Sequence, residues 1–265
     1  MYEKHIGFAC TFILALALLG CTNDRKARSS EPSGLAPSSG PVLTLDPATT
    51  GSISGTVTLE GAPSPARHIN MSSEPECQKM HPTPVDFPEV VIGDGGALAN
   101  VVVYIRSGLG NYHFKAPSVP AILDQKGCMY EPHVVGLMVN QPLEIKNSDA
   151  TIHNVHPIPE ANRGWNQSQP PGASPIEKSF SKPELAIPVM CNVHPWMRGY
   201  IFVFNNPYFS ITPRAGRFEL KNLPPGTYTI EAWQEKYGIL DQTVTIGPRE
   251  SKSVAFTFKA ASPSR

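Results

Sequence analysis

The sequence carries no excess of charge of either sign. Its 22 Lys and Arg residues balance 22 Asp and Glu residues, so the formal net charge is zero. Proteins that bind nucleic acids or acidic membrane surfaces through charge usually present a broad basic patch. This balance therefore gives no support to a nucleic-acid partner or to electrostatic membrane binding.

Sequence motifs of the common catalytic centres are also missing. The chain contains no G-x-S-x-G, no H-E-x-x-H and no P-loop, and its Ser, His and Asp residues suggest no triad. A C-x-x-C-H motif is absent as well, so the chain does not carry its own c-type haem. We expect a protein that is not an enzyme.

Long amphipathic helices are lacking, whereas residues that make turns are abundant. The chain has 28 prolines and 21 glycines, and its apolar segments are short, as in strands joined by tight turns. The strand-like segments are 52–59, 100–105, 134–146, 186–190, 200–204, 217–220, 227–233, 242–246 and 253–258. This pattern predicts an all-β fold, with a sandwich as the expected architecture.

The N-terminus has the features of an export signal. Residues 6–19 form an apolar run that is too short to span a bilayer comfortably, and it ends in Leu18-Leu19-Gly20-Cys21, which resembles a bacterial lipobox. We expect a signal peptide at 1–20, a lipid on Cys21 and a flexible Ser- and Pro-rich linker at 21–50. This places the protein in the cell envelope, periplasm-facing or at the surface, with the outer membrane favoured. A plain secretory signal is the alternative.

Cysteine usage narrows the roles of the remaining thiols. After Cys10 and Cys21, three cysteines are left, and an exported protein should pair two of them. We expect a Cys77–Cys128 disulfide and a free thiolate at Cys191. Three buried thiols, or a second metal site from Cys77, Met80 and His81, are the alternatives.

The segment after the strand at 186–190 carries metal-ligand chemistry. Cys191, His194 and Met197 form a C-x-x-H-x-x-M motif, which places a thiolate, an imidazole and a thioether on one short loop. A second imidazole must come from a neighbouring strand, and His153 in the sequence His-Asn-Val is suitably placed. This donor set is the one that blue-copper sites use.

The region 98–206 resembles the cupredoxin family. Its Cys191 loop is similar to that of the amicyanins, and the stretch from 134 to 156 is similar to the ligand-bearing part of plastocyanin and pseudoazurin. The resemblance implies one copper ion, cycling between Cu(I) and Cu(II). Its ligands would be His153, Cys191, His194 and Met197. It also implies that Asn154 pins the cysteine loop, next to Pro195.

The same resemblance implies a partner surface. The edge of His194 would be exposed in an apolar patch formed by Pro195 and Trp196, where a c-type cytochrome or another envelope redox protein would dock. The alternative metal is zinc on the same Cys and His residues. His133 and His156 are less expected ligands. For His156 the reason is strand alternation, which turns a residue three after His153 to the opposite face.

The end of the chain has a different character. The sequence around Leu223-Pro224-Pro225-Gly226-Thr227-Tyr228 resembles the carboxypeptidase regulatory-like, or transthyretin-like, β-sandwich. We therefore expect a β-domain at 207–260 that shares its sheets with an N-terminal β segment at 51–97. The predicted fold is all-β: a cupredoxin-like Greek-key sandwich packed with, or inserted in, a small transthyretin-like sandwich.

These features favour a lipid-anchored copper protein that transfers single electrons. Two other functions stay open at this point. The first is a copper-binding or copper-delivery protein outside any redox chain. The second is an envelope module that binds carbohydrate or protein and contains a structural metal.

Overall fold

The computed structural model describes residues 45–63 and 65–260, and within them it confirms the all-β class. The strands are β1 (Gly51–Glu60), β2 (Val102–Ser107), β3 (Ala121–Lys126), β4 (Met129–Glu131), β5 (Val134–Met138), β6 (Leu143–Asn147), β7 (His153–Pro157), β8 (Gln167–Gln169), β9 (Ile176–Lys178), β10 (Glu184–Met190), β11 (Arg198–Phe204), β12 (Phe209–Ile211), β13 (Arg217–Leu223), β14 (Gly226–Gln234), β15 (Gly238–Ile246) and β16 (Ser251–Lys259).

One short α-helix interrupts the strands. Helix α1 (Pro75–Met80) begins with a proline. Proline suits this position because N–H groups in the first helical turn have no acceptor within the helix, so its lack of an N–H costs no hydrogen bond. No helix within the described residues is long and apolar enough to cross a membrane. The expected signal peptide at 1–20 and the lipid site Cys21 lie outside the described residues, as does most of the linker at 21–50.

The first sandwich is built from both ends of the described chain. One sheet has the order β13-β1-β16, and the facing sheet has the order β12-β2-β14-β15. Strand β1 pairs antiparallel with β13 and parallel with β16, so the first and last strands lie side by side. The expected copper domain at 98–206 therefore includes one strand, β2, that belongs to this sandwich.

The second sandwich contains the middle of the chain. Its sheets have the orders β5-β11-β10-β7-β8 and β4-β3-β6-β9, and their facing side chains form a separate apolar core. Alternation along β11 shows how the sheet is used: Ile201 and Val203 point into this core. The predicted arrangement of two associated sandwiches is confirmed.

A third apolar layer joins the two sandwiches. On β11, Phe202 and Phe204 point away from the second core and pack with Val102 and Tyr104 of β2. Trp233 lies 4.9 Å from Phe202 between ring centroids. Since β2 and β11 each bury both faces, the sandwiches form one four-sheet stack, and the second sandwich is held firmly on the first.

Candidate metal centre

A short closed loop connects β10 to β11. Cys191 directly follows β10, and its N–H donates to the Met197 carbonyl oxygen over 3.0 Å. The Met197 N–H donates in turn to the His194 carbonyl oxygen over 2.9 Å, and the His194 N–H lies 3.4 Å from the Cys191 sulfur. These bonds fix the backbone of the loop, so the side chains of the C-x-x-H-x-x-M motif have little freedom.

Strand pairing brings the second histidine to this loop. His153 starts β7, which pairs with β10, so its side chain lies beside Cys191 and His194. The two Nδ1 atoms of His153 and His194 are 3.0 Å apart, and the Cys191 Sγ lies 3.8 Å from His194 Nδ1. All three side chains are buried, and their donor atoms lie within 4.8 Å of one another.

Asp149 orients His153, a role that the sequence analysis did not assign. Its carboxylate accepts a hydrogen bond from His153 Nε2 over 2.7 Å, and it also accepts the N–H groups of Gly127 and Cys128. A hydrogen bond at Nε2 turns Nδ1 toward the other donors and fixes the ring. The available signal was an acidic residue in the turn four residues before the histidine.

Asn154 ties the cysteine loop to β7. Its side-chain oxygen accepts the Asn192 N–H over 2.9 Å, directly after Cys191. The Tyr130 hydroxyl donates to the Asn154 carbonyl oxygen over 2.6 Å from the opposite sheet. The structure thus places Asn154 where the family resemblance predicted a residue that pins the loop.

The remaining motif residues lie around the three donors. Met197 is fully buried in the same apolar core as Cys191. Pro195 is exposed, and its carbonyl oxygen accepts a hydrogen bond from Arg198 Nε over 3.2 Å. The loop therefore buries its methionine and exposes its proline.

The surroundings of Cys191 favour its thiolate. Burial alone raises the pKa of this thiol, but hydrogen bonds from His153, His194 and the backbone N–H groups of His194 and Val193 outweigh it and lower the pKa to about 6. Burial lowers the pKa of His153, yet its hydrogen bonds to Asp149 and Cys191 raise the pKa overall. The metal-free site therefore favours a Cys191 thiolate at neutral pH.

We expect the metal-free protein to show this thiolate in a pH titration. Ultraviolet thiolate absorbance assigned to Cys191 should appear with a midpoint near pH 6, because the folded pKa lies below the ordinary value of 9.0. A Cys191→Ser variant is titrated in parallel, and subtracting its curve removes the absorbance of every other titrating group. A difference titration with a midpoint near 9 would contradict the hydrogen-bonded arrangement.

A disulfide lies against the site. Cys77 of α1 is bonded to Cys128 with an S–S distance of 2.00 Å, and Cys191 is the free cysteine among the described residues. The disulfide removes the alternatives of three buried thiols and of a metal site that uses Cys77. His81 instead contacts the Gly127 carbonyl oxygen at 2.7 Å.

His194 is not exposed, contrary to what the resemblance implied. Its side chain is 0% exposed, because the sulfurs of Cys77 and Cys128 lie within 4.8 Å of a His194 ring nitrogen and Glu74 lies 3.8 Å from Nε2. Trp196 packs beside the ring at 5.3 Å between centroids. These residues of the protein cover the ring edge that an exposed histidine would present to solvent.

The other two histidines considered as ligands lie outside this group. His133 is held between the Glu235 carboxylate at 2.9 Å and the Arg198 carbonyl oxygen at 3.1 Å. His156 contacts the Asn192 side-chain oxygen at 3.1 Å. Each has a structural partner that explains its position.

The three donors fit a single metal ion. Nitrogen and sulfur donors bound to one first-row ion at about 2.0–2.3 Å lie roughly 3–4 Å from each other. The spacings of 3.0 Å and 3.8 Å fall in this range. Thiolate and imidazole are donors that copper and zinc both accept. A thioether is a soft donor that zinc does not favour, and the Met197 side chain is buried in the same apolar core as Cys191.

Comparisons with known proteins find likeness in the solved structures alone. No family model and no curated protein matches the chain. A copper-containing nitrite reductase from Thermus scotoductus is 20% identical at a TM-score of 0.31, over 37% of this chain and 25% of that one. A purple cupredoxin from Nitrosopumilus maritimus is 19% identical at 0.27, over 31% and 98%. An amicyanin mutant is 22% identical at 0.28, over 38% and 97%.

This chain spans only a quarter of the length of that nitrite reductase. All three TM-scores are far below 0.5. The function proposed for this chain therefore rests on its own residues and their geometry.

Proposed function

We propose that this protein is a mononuclear blue-copper protein that carries single electrons in the cell envelope and is not an enzyme. The observation that carries the proposal is the convergence of His153, Cys191 and His194 in a buried, prearranged group. We assign one copper ion to these donors, with Met197 as the weak fourth ligand. The bound ion would supply a one-electron couple between Cu(I) and Cu(II).

The chain's own residues support electron transfer because they hold the donors still. Asp149 fixes the ring of His153, and Asn154 fixes the loop that carries Cys191 and His194. Donors that move little between two oxidation states keep the reorganisation cost of electron transfer low. The four-sheet stack adds rigidity, since a closely packed interior deforms little.

Copper suits the donor set better than zinc does. Structural zinc sites normally use four strong N, O or S ligands. The proposed set here has three strong ligands, and its fourth is the weak thioether of Met197. A soft thiolate beside two imidazoles and a methionine sulfur is the combination typical of blue copper. The proposal therefore requires Met197, which is 0% exposed and packs in the same core as Cys191.

Burial favours a carrier over a delivery protein. A protein that hands copper to a partner must expose ligands for exchange, whereas Cys191 is 3% exposed and both histidines are 0% exposed. Electrons cross a few ångströms of packed side chains, but a metal ion does not. A binding module with a structural metal is the third candidate, and it would leave the buried thiolate without a redox role.

We place the protein in the envelope, held by a lipid on Cys21, with the outer membrane as the favoured membrane. Its partner would be a c-type cytochrome or another envelope oxidoreductase. The proposed contact surface is the exposed Pro195 with Trp196, which together line a cleft of about 580 Å³ beside the copper loop. The transthyretin-like sandwich would then serve as the scaffold.

The experiment that tests this function is electron exchange with a c-type cytochrome. Copper-loaded protein is reduced and mixed with oxidised cytochrome, and absorbance follows both partners. We expect one electron per copper to move within the mixing experiment, with the cytochrome reduced in proportion. Copper-loaded protein that exchanges no electrons, but passes copper to a metal-free acceptor, would support delivery and overturn the carrier function.

A further inference from the structure

A tied segment of the chain covers His194. Residues 67–87, here called the cover, fold back on themselves: the Ile69 N–H donates to the Val85 carbonyl oxygen over 2.8 Å, and the Phe87 N–H donates to the Arg67 carbonyl oxygen over 3.0 Å. Helix α1 lies within the cover. The two ends of the cover therefore lie side by side, and its middle, which contains α1, extends toward the loop at 191–197.

The tip of the cover is fixed to the site by the disulfide. Cys77 of α1 is bonded to Cys128, whose own N–H donates to Asp149 over 2.8 Å. The Trp196 indole N–H donates to the Cys128 carbonyl oxygen over 3.1 Å, and Trp196 also packs against the buried residues of the cover. The cover is thus connected both to the residue that orients His153 and to the loop that carries His194.

The cover brings a carboxylate to the far side of His194. Glu74 precedes α1, and its Oε2 lies 3.8 Å from His194 Nε2. This nitrogen is fully buried and has no hydrogen-bond partner among the described residues. Nδ1 of the same ring faces His153 and Cys191, so Glu74 lies across the imidazole from the donor group.

We propose that Glu74 is a positioning residue that sets the reduction potential of the copper through His194. This rests on the proposed function, because it needs copper on the three donors. A carboxylate behind the ligand imidazole favours the more positive oxidation state, since opposite charges attract. The imidazole between them is buried, whereas the Glu74 side chain is 38% exposed and its charge is partly screened by solvent. At 3.8 Å from Nε2 the carboxylate lies beyond hydrogen-bond distance, so it acts on His194 through its charge.

The test is the midpoint potential of copper-loaded wild-type protein and of two variants. Glu74→Gln removes the carboxylate at His194 and keeps the side chain's size. Glu76→Gln is the matched control, because Glu76 lies two residues away in the same cover and faces solvent in a pair with Lys79. Both variants change the net charge by one unit.

We expect Glu74→Gln to raise the potential while Glu76→Gln leaves it nearly unchanged. The expected change in the preference for the oxidised form is roughly three- to tenfold, and tenfold corresponds to about 59 mV for one electron. Glu74→Asp, which keeps the charge, should recover most of the wild-type potential.

Two failures can be told apart in the same samples. If all proteins bind one copper with the same visible band, but Glu74→Gln and Glu76→Gln have equal potentials, then Glu74 has no specific role and the inference is overturned. If wild-type protein binds no copper, the proposed function fails instead. A potential that falls in Glu74→Gln would also overturn the inference.

Discussion

Replacing Cys191 by serine should abolish the intense visible absorption of the copper-loaded protein. The thiolate is the soft anionic donor of the proposed site, and a serine hydroxyl stays protonated and binds copper weakly at neutral pH. The substitution also removes the group whose pKa is lowered to about 6. Loss of an outer partner alone costs roughly 10- to 100-fold in metal affinity, so we expect a larger loss here.

His156, which lies on β7 together with the proposed ligand His153, provides the control for this variant. His156 lies three residues after His153 and contacts Asn192 rather than the donor group. His156→Gln keeps an amide that can still bond to Asn192, so it should retain copper and the visible band. Survival of the band in Cys191→Ser, or its loss in His156→Gln, would show that the ligand assignment is wrong.

Removing the disulfide should lower the stability of the protein strongly. The Cys77–Cys128 bond spans 51 residues, and closing a loop of this length stabilises a fold by about 4 kcal/mol through the unfolded chain. Both cysteines are also almost completely buried. We expect the metal-free double variant Cys77→Ala with Cys128→Ala to unfold at a clearly lower urea concentration than wild type.

The comparison is made without copper, because a ligand that binds only the folded state would add its own stabilisation. Cys191→Ser is the matched control, since it removes a buried sulfur without opening a covalent loop. If the free energy of unfolding of the double variant lies within about 1 kcal/mol of the wild-type value, the cover is held by packing alone.

Most of the fold was predictable from local patterns. The strand-like segment at 52–59 corresponds to β1, and the segment at 134–146 corresponds to β5 and β6, with Asn140-Gln141-Pro142 between the two strands. Strand β2 was predicted as part of the copper domain at 98–206, but it lies in a sheet of the first sandwich. Its compact apolar run does not reveal which sheet it joins. Only the pairing of β2 with β12 and β14 shows that it belongs to the first sandwich.

The donors of the candidate site were predictable because chemistry restricts them to few residue types at fixed spacing. The parts that the sequence did not reveal depend on distant contacts. Glu74 and His194 are brought together by a disulfide and by a chain reversal, which no local pattern encodes. For the same reason, the burial of His194 could not be inferred from the loop sequence, whose family resemblance implied an exposed histidine.

The buried histidine changes how the proposed carrier would exchange electrons. A partner cannot contact the His194 edge directly while the cover is in place. Trp196 contacts the His194 ring on one side and lines the open cleft with Pro195 on the other. The tryptophan therefore connects the His194 ring with the surface cleft.

Metal analysis combined with a visible spectrum tests the central claim most directly. Purified wild-type protein is loaded with Cu(II), freed of excess metal and measured for copper, zinc and absorbance in one sample. We predict one copper per chain and an intense visible band that disappears on reduction and returns on oxidation. Zinc retained in place of copper, or bound copper without that band, would contradict the blue-copper assignment.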